Sequence, residues 1–319
     1  MLASVSHAAS SCMPVKVGVQ DALAPPIATR HLIDPLYCVQ HAAGLKLTSA
    51  GASTVLPKGA PHARHLCGRK RCSAHKSMRR VMGALLSSLV GGARPVRHAT
   101  APAAARYFVV GDVHGCLDEL HDLLRKAQYD DGATRLVLVG DLVNKGPKSL
   151  EVIRYCRENE IWAVRGNHDD KCLRLFDGVD ELKDEYSYVQ DMTAEDAAWL
   201  RNLPHTLTLP HVDAIVVHAG LRPGISLKDQ SPQHMTTMRS LEGGAPSSRP
   251  GEESWAELRD EAPLVIFGHD ARRGLQKFPY AIGLDTGCCY GGALTGVFLP
   301  SRELVSVPAR RTYAEAARG

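Results

Sequence analysis

Seven side chains able to hold a metal or handle a proton recur in this 319-residue sequence, each a residue or a few past a short apolar run. They are Asp112 and His114 in Gly-Asp-Val-His-Gly, Asp141 in Gly-Asp-Leu-Val-Asn-Lys-Gly, Asn167 and His168 in Gly-Asn-His-Asp, His218 in His-Ala-Gly and His269 in Gly-His-Asp. Asp112 and His114 alternate by two, so on an extended tip both point the same way. Asp141 has two oxygens and can bridge two cations; Asn167 offers a neutral oxygen and the histidines offer nitrogen. A mixed nitrogen and oxygen set suits Mn, Fe or Zn better than Ca, and the lack of thiolates argues against a structural zinc site. Two cations about 3.5–4 Å apart lower the pKa of a water between them and clamp attacking and leaving oxygens, the chemistry of phosphoester and phosphoanhydride hydrolysis. Each motif alone reads as a turn or a packed histidine. Five of them in order, each at a strand end, read as a metal centre.

The runs in front of these residues are Tyr107–Val110, Arg135–Val139, Ile161–Val164, Ala214–Val217 and Pro263–Phe267, all of strand length and apolar enough to be buried on both faces. Between the first three, helical spacing places Leu117, Leu120, Leu123 and Leu124 on one helix over 116–129, and Leu150, Ile153 and Cys156 on another over 149–160. Strand, helix, strand, helix, strand implies crossover connections and a parallel sheet. In such sheets, sites form beyond the carboxyl ends of the strands. Tyr280–Leu284, Leu294–Leu299 and Leu304–Val307 predict further strands with an antiparallel close, and the Gly- and Pro-rich stretch Glu242–Glu253 predicts a mobile surface loop.

Charge divides the chain. Up to Gly111 there are 14 Lys and Arg against two acids, Asp21 and Asp34; the remainder has 24 against 32. Residues 1–104 show no sustained periodicity and are read as a basic leader, mostly disordered because it cannot bury enough apolar surface to offset chain entropy. Its stretch from Met78, Met-Arg-Arg-Val-Met-Gly-Ala-Leu-Leu, is basic and amphipathic and would act as a targeting sequence if translation began there. The expectation is an intracellular protein, directed by this leader to mitochondria or another organelle, and otherwise cytoplasmic. The leader is expected to be dispensable for catalysis, and it carries one aromatic, Tyr37, which argues against nucleic-acid binding by base stacking. Residues 105–310 are read as the catalytic domain and 311–319 as a tail. The nine cysteines match no metal clip and read as ordinary buried thiols of a reducing compartment. No apolar run approaches the roughly 18–20 residues of a membrane span.

The motif set resembles the calcineurin-like metallophosphoesterases, with the phosphoprotein-phosphatase signature Gly-Asp-x-His-Gly, Gly-Asp-x-x-x-x-Gly, Gly-Asn-His and His-Gly/Ala-Gly, over about residues 106–308. That resemblance implies an α/β sandwich of central mixed sheets flanked by helices. It implies that Asp112 and His114 hold one metal, that Asp141 bridges, that Asn167, His218 and His269 hold the other, and that His168 is the general acid. Asn144-Lys145-Gly146-Pro147 stands where eukaryotic protein phosphatases end their second motif in Asp-Arg-Gly. With Gly283-Leu-Asp-Thr-Gly287 and Phe267-Gly-His-Asp, this looks like the ApaH-like phosphatases, relatives of bacterial diadenosine tetraphosphatase. Asn144 would orient His168 in place of a carboxylate, still accepting a hydrogen bond but holding the imidazole pKa up less. Lys145 would hold phosphate oxygens, with Arg222, Arg239 and Arg273 as further candidates. The substrate expected is a phosphate-containing molecule, most simply a nucleoside polyphosphate, cap or polyphosphate anhydride. A protein serine/threonine phosphatase is the rival, and an inactive fold used as a scaffold is a remoter one.

Overall fold

A computed structural model describes residues 97–316. The basic leader, its Met78 stretch and the last three residues lie outside them. Two sheets are stacked. In chain order the strands are β1 (His98–Thr100), β2 (Arg106–Val110), β3 (Thr134–Leu138), β4 (Trp162–Ala163), β5 (Thr206–Leu209), β6 (Ala214–Val217), β7 (Ser240–Glu242), β8 (Ala245–Ser247), β9 (Leu264–Phe267), β10 (Gln276–Phe278), β11 (Ala281–Gly283), β12 (Ala293–Leu299) and β13 (Leu304–Pro308). The helices are α1 (Leu117–Lys126), α2 (Ser149–Glu158), α3 (Asn167–Phe176), α4 (Ala194–Asn202) and α5 (Pro232–Thr237). One sheet runs β13-β12-β2-β3-β4 and the other β1-β5-β6-β9-β11-β10. β2, β3 and β4 are parallel, as are β6, β9 and β11, while β12 and β13 close the first sheet antiparallel.

Why the strands read as unbroken apolar runs is plain from their two faces. Tyr107, Val109 and Val137 point between the sheets, against Leu207, Val216, Ile266 and Ile282 of the other sheet. Their neighbours Phe108, Val110, Leu136 and Leu138 face outward and are covered by Leu120 and Leu123 of α1, Ile153 of α2, Leu173 of α3 and Leu200 of α4. On the far side, Val217, Val265 and Phe267 pack on Met235, Met238 and Trp255. Each such side chain removed from water contributes about 1.5–3 kcal/mol. α1 is further matched to its dipole by Asp118 and Glu119 in its first turn and Arg125 and Lys126 in its last. The expected sandwich of mixed sheets flanked by helices is therefore the architecture observed.

Two expectations are corrected. Part of the stretch over 242–253 is a hairpin: β7 and β8 pair antiparallel across Gly243-Gly244, both at positive φ. A Gly-Gly pair between short strands suits the tight primed turns that match strand twist, which the composition of the stretch concealed. The sheet also reaches back into the segment assigned to the leader. β1 pairs in parallel with β5, Ala101 N donates to Thr208 O at 2.9 Å, and His205 N donates to Arg97 O at 2.8 Å. Three residues are too few to show periodicity, so nothing local announced them. Among the described residues no helix is long and apolar enough to cross a membrane.

A chain beginning at Arg97 retains this edge strand, whereas one beginning at Ala105 loses it with several main-chain bonds worth roughly 1 kcal/mol each. The shorter chain should be about 2 kcal/mol less stable and melt about 4–8 °C lower. Differential scanning fluorimetry on the two fragments decides it, and coincident melts would show that β1 contributes nothing.

Candidate metal centre and active site

Each strand of the two sheets' common edge hands over one or two polar side chains. β2 leads to Asp112 and His114, β3 to Asp141, β4 to Asn167 and His168 in the first turn of α3, β6 to His218, and β9 to His269. The turns that deliver them are tight. His114, Asp141, Asn144, Lys145 and His269 all adopt positive φ, between 45° and 72°. Non-glycine residues persist in that region only where surrounding bonds over-determine them. Here the bonds run between loops: His114 N to Asp141 O (2.8 Å), Gly146 N to His114 O (2.8 Å), and His269 N to the Asp112 carboxylate (3.1 and 3.2 Å). Two glycines allow this packing. A Cβ on Gly166 would collide with the Asp141 carboxylate and backbone, and one on Gly268 with the Asp112 carboxylate.

The centre of the cluster is Asp141, 2% exposed. Its Oδ1 accepts from His168 N at 2.9 Å and lies 3.4 Å from His218 Nε2, while its Oδ2 lies 3.5 Å from His114 Nε2. Asn167 Oδ1 is 3.1 Å from His218 Nε2. Asp141 is shared by two potential ligand groups, one with His114 and His168 and one with His218 and His269, whose donor atoms lie within 4.8 Å of one another.

The electrostatics are those of crowded, buried charge. Burial would raise the Asp141 carboxyl, but His218, His168 and His114 around it hold it well below the usual range. Burial likewise opposes the charge on His218, yet Asp141 holds it up at about 9. Burial, with Asp285 beside it, drives the Asp112 carboxyl well above its ordinary value. Asp285 itself is pushed up to about 6 by burial. Burial, followed by Lys145, depresses His114; burial, followed by His218, depresses His269. Three carboxylates and three imidazoles facing one point need cationic charge between them to be stable as carboxylate and neutral imidazole.

The ring nitrogens are sorted by their partners. His114 Nδ1 meets Val143 O, His218 Nδ1 meets Val139 O, and His269 Nε2 meets Thr237 O, at 3.0, 3.0 and 3.1 Å. A backbone carbonyl only accepts, so in each neutral ring that nitrogen bears the hydrogen and the other keeps a lone pair for a ligand. His168 differs: its Nδ1 faces the Asn144 amide nitrogen and the Tyr186 hydroxyl, each at 3.1 Å. Burial, reinforced by Lys145 and only partly offset by Asp141, lowers the His168 pKa. Asn144, expected to orient this ring, meets it through its amide group.

A cavity of about 770 Å³ opens over the cluster and is lined by Asp112, His114, Asp141, Asn167, His168 and His269 among others, with His218 fully buried beneath. Lys145 and Arg239 line it as expected. Lys145 Nζ lies 2.8 Å from His114 Nε2 and 4.9 Å from the centre of the Tyr290 ring. The other two phosphate candidates are corrected. Arg273 does not line the cavity, because its guanidinium is spent on Asp270 and on the carbonyls of Gly251 and Arg239. Arg222 is exposed and outside the lining, whereas Arg272, the sequence neighbour of Arg273, is inside the set. Four residues outside the expected set, Asp285, Arg272, Tyr186 and Tyr290, also line the cavity. Asp285 follows β11 in Gly-Leu-Asp-Thr-Gly and repeats the strand-then-Asp signal of Asp112 and Asp141; the tyrosines carry no such signal. The residues after 310, expected to be a tail, also contribute to the wall through Ala314, Glu315 and Ala316. A third cluster, Cys116, Glu119 and Cys288, is structural: contact with Cys288 and burial push the Cys116 thiol far up, and Glu119 accepts from Tyr313 and Arg310 N.

A two-sheet sandwich with this donor set at one edge defines a metallophosphoesterase, a hydrolase using divalent metal. The chain belongs to the calcineurin-like phosphoesterases, whose family profile matches residues 105–293. It is 30% identical over 268 residues to the symmetrical bis(5'-nucleosyl)-tetraphosphatase of Coxiella burnetii (strain CbuK_Q154), covering 63% of this chain and 91% of that one. To the asymmetrical bis(5'-nucleosyl)-tetraphosphatase of Bacillus subtilis (strain 168) it is 31% identical over 242 residues, covering 66% and 97%. A crystal structure of a candidate diadenosine tetraphosphatase superposes with a TM-score of 0.63 at 37% identity, covering 67% of this chain and 98% of its own.

Gly268→Ala tests the packing that holds Asp112. The added methyl must displace the carboxylate, and disturbing the support of a metal ligand typically costs 10–100-fold. Phosphatase activity with saturating Mn should fall by about that factor while the circular dichroism spectrum is retained; unchanged activity would show that Asp112 needs no fixed position.

Proposed function

We propose that this chain hydrolyses a phosphate anhydride of the nucleoside polyphosphate class, with two divalent cations held by Asp112, His114 and Asp141, and by Asp141, Asn167, His218 and His269. The observation that carries the reading is the sorting of the histidines. In their neutral form three keep a lone pair for a cation beside Asp141, because a carbonyl holds their other nitrogen. The fourth, His168, is held by side chains that leave its hydrogen placement free, as proton transfer requires. The donor set fits Mn, Fe or Zn, and when bound the cations supply an activated water and neutralise charge on phosphate oxygens. Lys145 and Arg239 provide fixed positive charge at the cavity wall for those oxygens. His168 delivers a proton to the leaving oxygen.

Asn144 favours an anhydride over an ester substrate. Against the protein-phosphatase pattern it replaces a carboxylate with a neutral amide beside His168, so the ring is a less ready acid. An alkoxide leaving group needs its proton early, whereas a phosphate anhydride expels a far better one. Relatives named for bis(5'-nucleosyl) tetraphosphates support the same class. Equal amounts of diadenosine tetraphosphate, polyphosphate, capped RNA and a phosphoserine peptide should be turned over with diadenosine tetraphosphate fastest by kcat/KM. A peptide turned over fastest would instead identify a protein phosphatase.

Asn144→Asp should move that preference. Asp tolerates the left-handed φ of 72° that Asn144 adopts. A carboxylate there stabilises a protonated His168, and one pKa unit corresponds to about 1.4 kcal/mol, or roughly tenfold. Phosphoserine or alkyl phosphate hydrolysis should rise by up to about that factor relative to anhydride hydrolysis. Equal changes in both would remove Asn144 from the argument about substrate.

A further inference from the structure

We infer that Tyr186 is a positioning residue for His168, supplying the oxygen that accepts from its Nδ1–H while Nε2 faces the substrate. The inference rests on the proposed role of His168 as proton donor. Tyr186 lies at the kink of the 3-10 segment Asp184–Asp191 between α3 and α4; it is 4% exposed and its hydroxyl is 3.1 Å from His168 Nδ1. For His168 to act as an acid it must carry hydrogens on both nitrogens. The Nε2 proton passes to the leaving oxygen as the phosphorus–oxygen bond breaks and its electron pair stays on that oxygen. The Nδ1 hydrogen remains throughout and needs an acceptor, because a buried donor without one costs about 1–3 kcal/mol.

The Asn144 amide lies 3.1 Å from the same nitrogen but must turn its oxygen inward before it can accept, and its backbone N–H is held by Ser149 Oγ at 2.9 Å. The Tyr186 hydroxyl can accept from the ring by rotating its hydrogen away, with no heavy atom moving. Burial keeps the phenol pKa raised, so the group stays a neutral hydroxyl. The carboxylate expected beside the acid in protein phosphatases is thus replaced by two neutral groups, one of which does the accepting.

Tyr186 also lines the cavity, so the test must separate positioning from substrate contact. The full chain loaded with Mn is assayed on a series of phosphate monoesters, from p-nitrophenyl phosphate to an alkyl phosphate, with His168→Asn as reference. Tyr186→Phe should lower kcat about tenfold on the poorest leaving group and less than about twofold on the best, with KM and bound Mn unchanged. Asn144→Asp in the Tyr186→Phe background should restore the lost kcat, since a carboxylate can accept from Nδ1. Loss confined to KM, loss equal across the series, or absence of rescue would overturn the role of Tyr186. A His168→Asn variant whose loss is the same for every leaving group would overturn the proton-donor reading, and the inference with it.

Discussion

The carboxylate of Asp141 is the constraint around which this edge of the molecule is built. One buried side chain accepts the His168 N–H in the first turn of α3, faces imidazoles that follow β2 and β6, and is shared by both potential ligand groups. Such a charge in a low-dielectric interior is stable only where every neighbour is committed to it. The left-handed backbone at Asp141 itself, the glycine opposite it at Gly166, and the carbonyl ties on three histidines are the forms that commitment takes. Both sheets contribute, which is why the sandwich and the site cannot be altered independently: a shift of β9 against β2 would part His269 N from the Asp112 carboxylate.

The cavity wall divides the chemical labour. Fixed charge comes from Lys145 and Arg239, with Arg272 in the loop after β9, whereas Nδ1 of His168 is met by neutral groups, Asn144 and Tyr186. A neutral cradle leaves less of the imidazole in its protonated form than a carboxylate would, and a leaving group that is itself a stable anion tolerates that. In the proposed reaction, how a histidine is oriented bears on substrate choice as well as what the wall can bind.

Much of this was legible in the sequence because it is local. Strands buried on both faces must be continuous apolar runs, and a side chain just past such a run must lie at the sheet's edge. Asp112, His114, Asp141, Asn167, His168, His218 and His269 could therefore be placed from spacing alone, and Asp285 carried the same signal unread. The resemblance that these motifs carry led to the family that the profile confirms. Composition divided a basic leader from an acidic domain at residue 104, whereas the sheet begins earlier, since β1 is three residues long and exists only because β5 lies beside it.

What tertiary structure alone decided is how residues distant along the chain divide a limited set of partners. Arg273 was a plausible phosphate ligand by type, and it is a brace because Asp270 and two carbonyls surround it. Tyr186 was an unremarked tyrosine in a polar stretch, and it reaches His168 because the chain between α3 and α4 folds back over the site. Residue type and periodicity specify which atoms can bond and which face is buried. Which of several possible bonds a side chain makes depends on distances between separate elements, and those are set only when both sheets and their covering helices have packed.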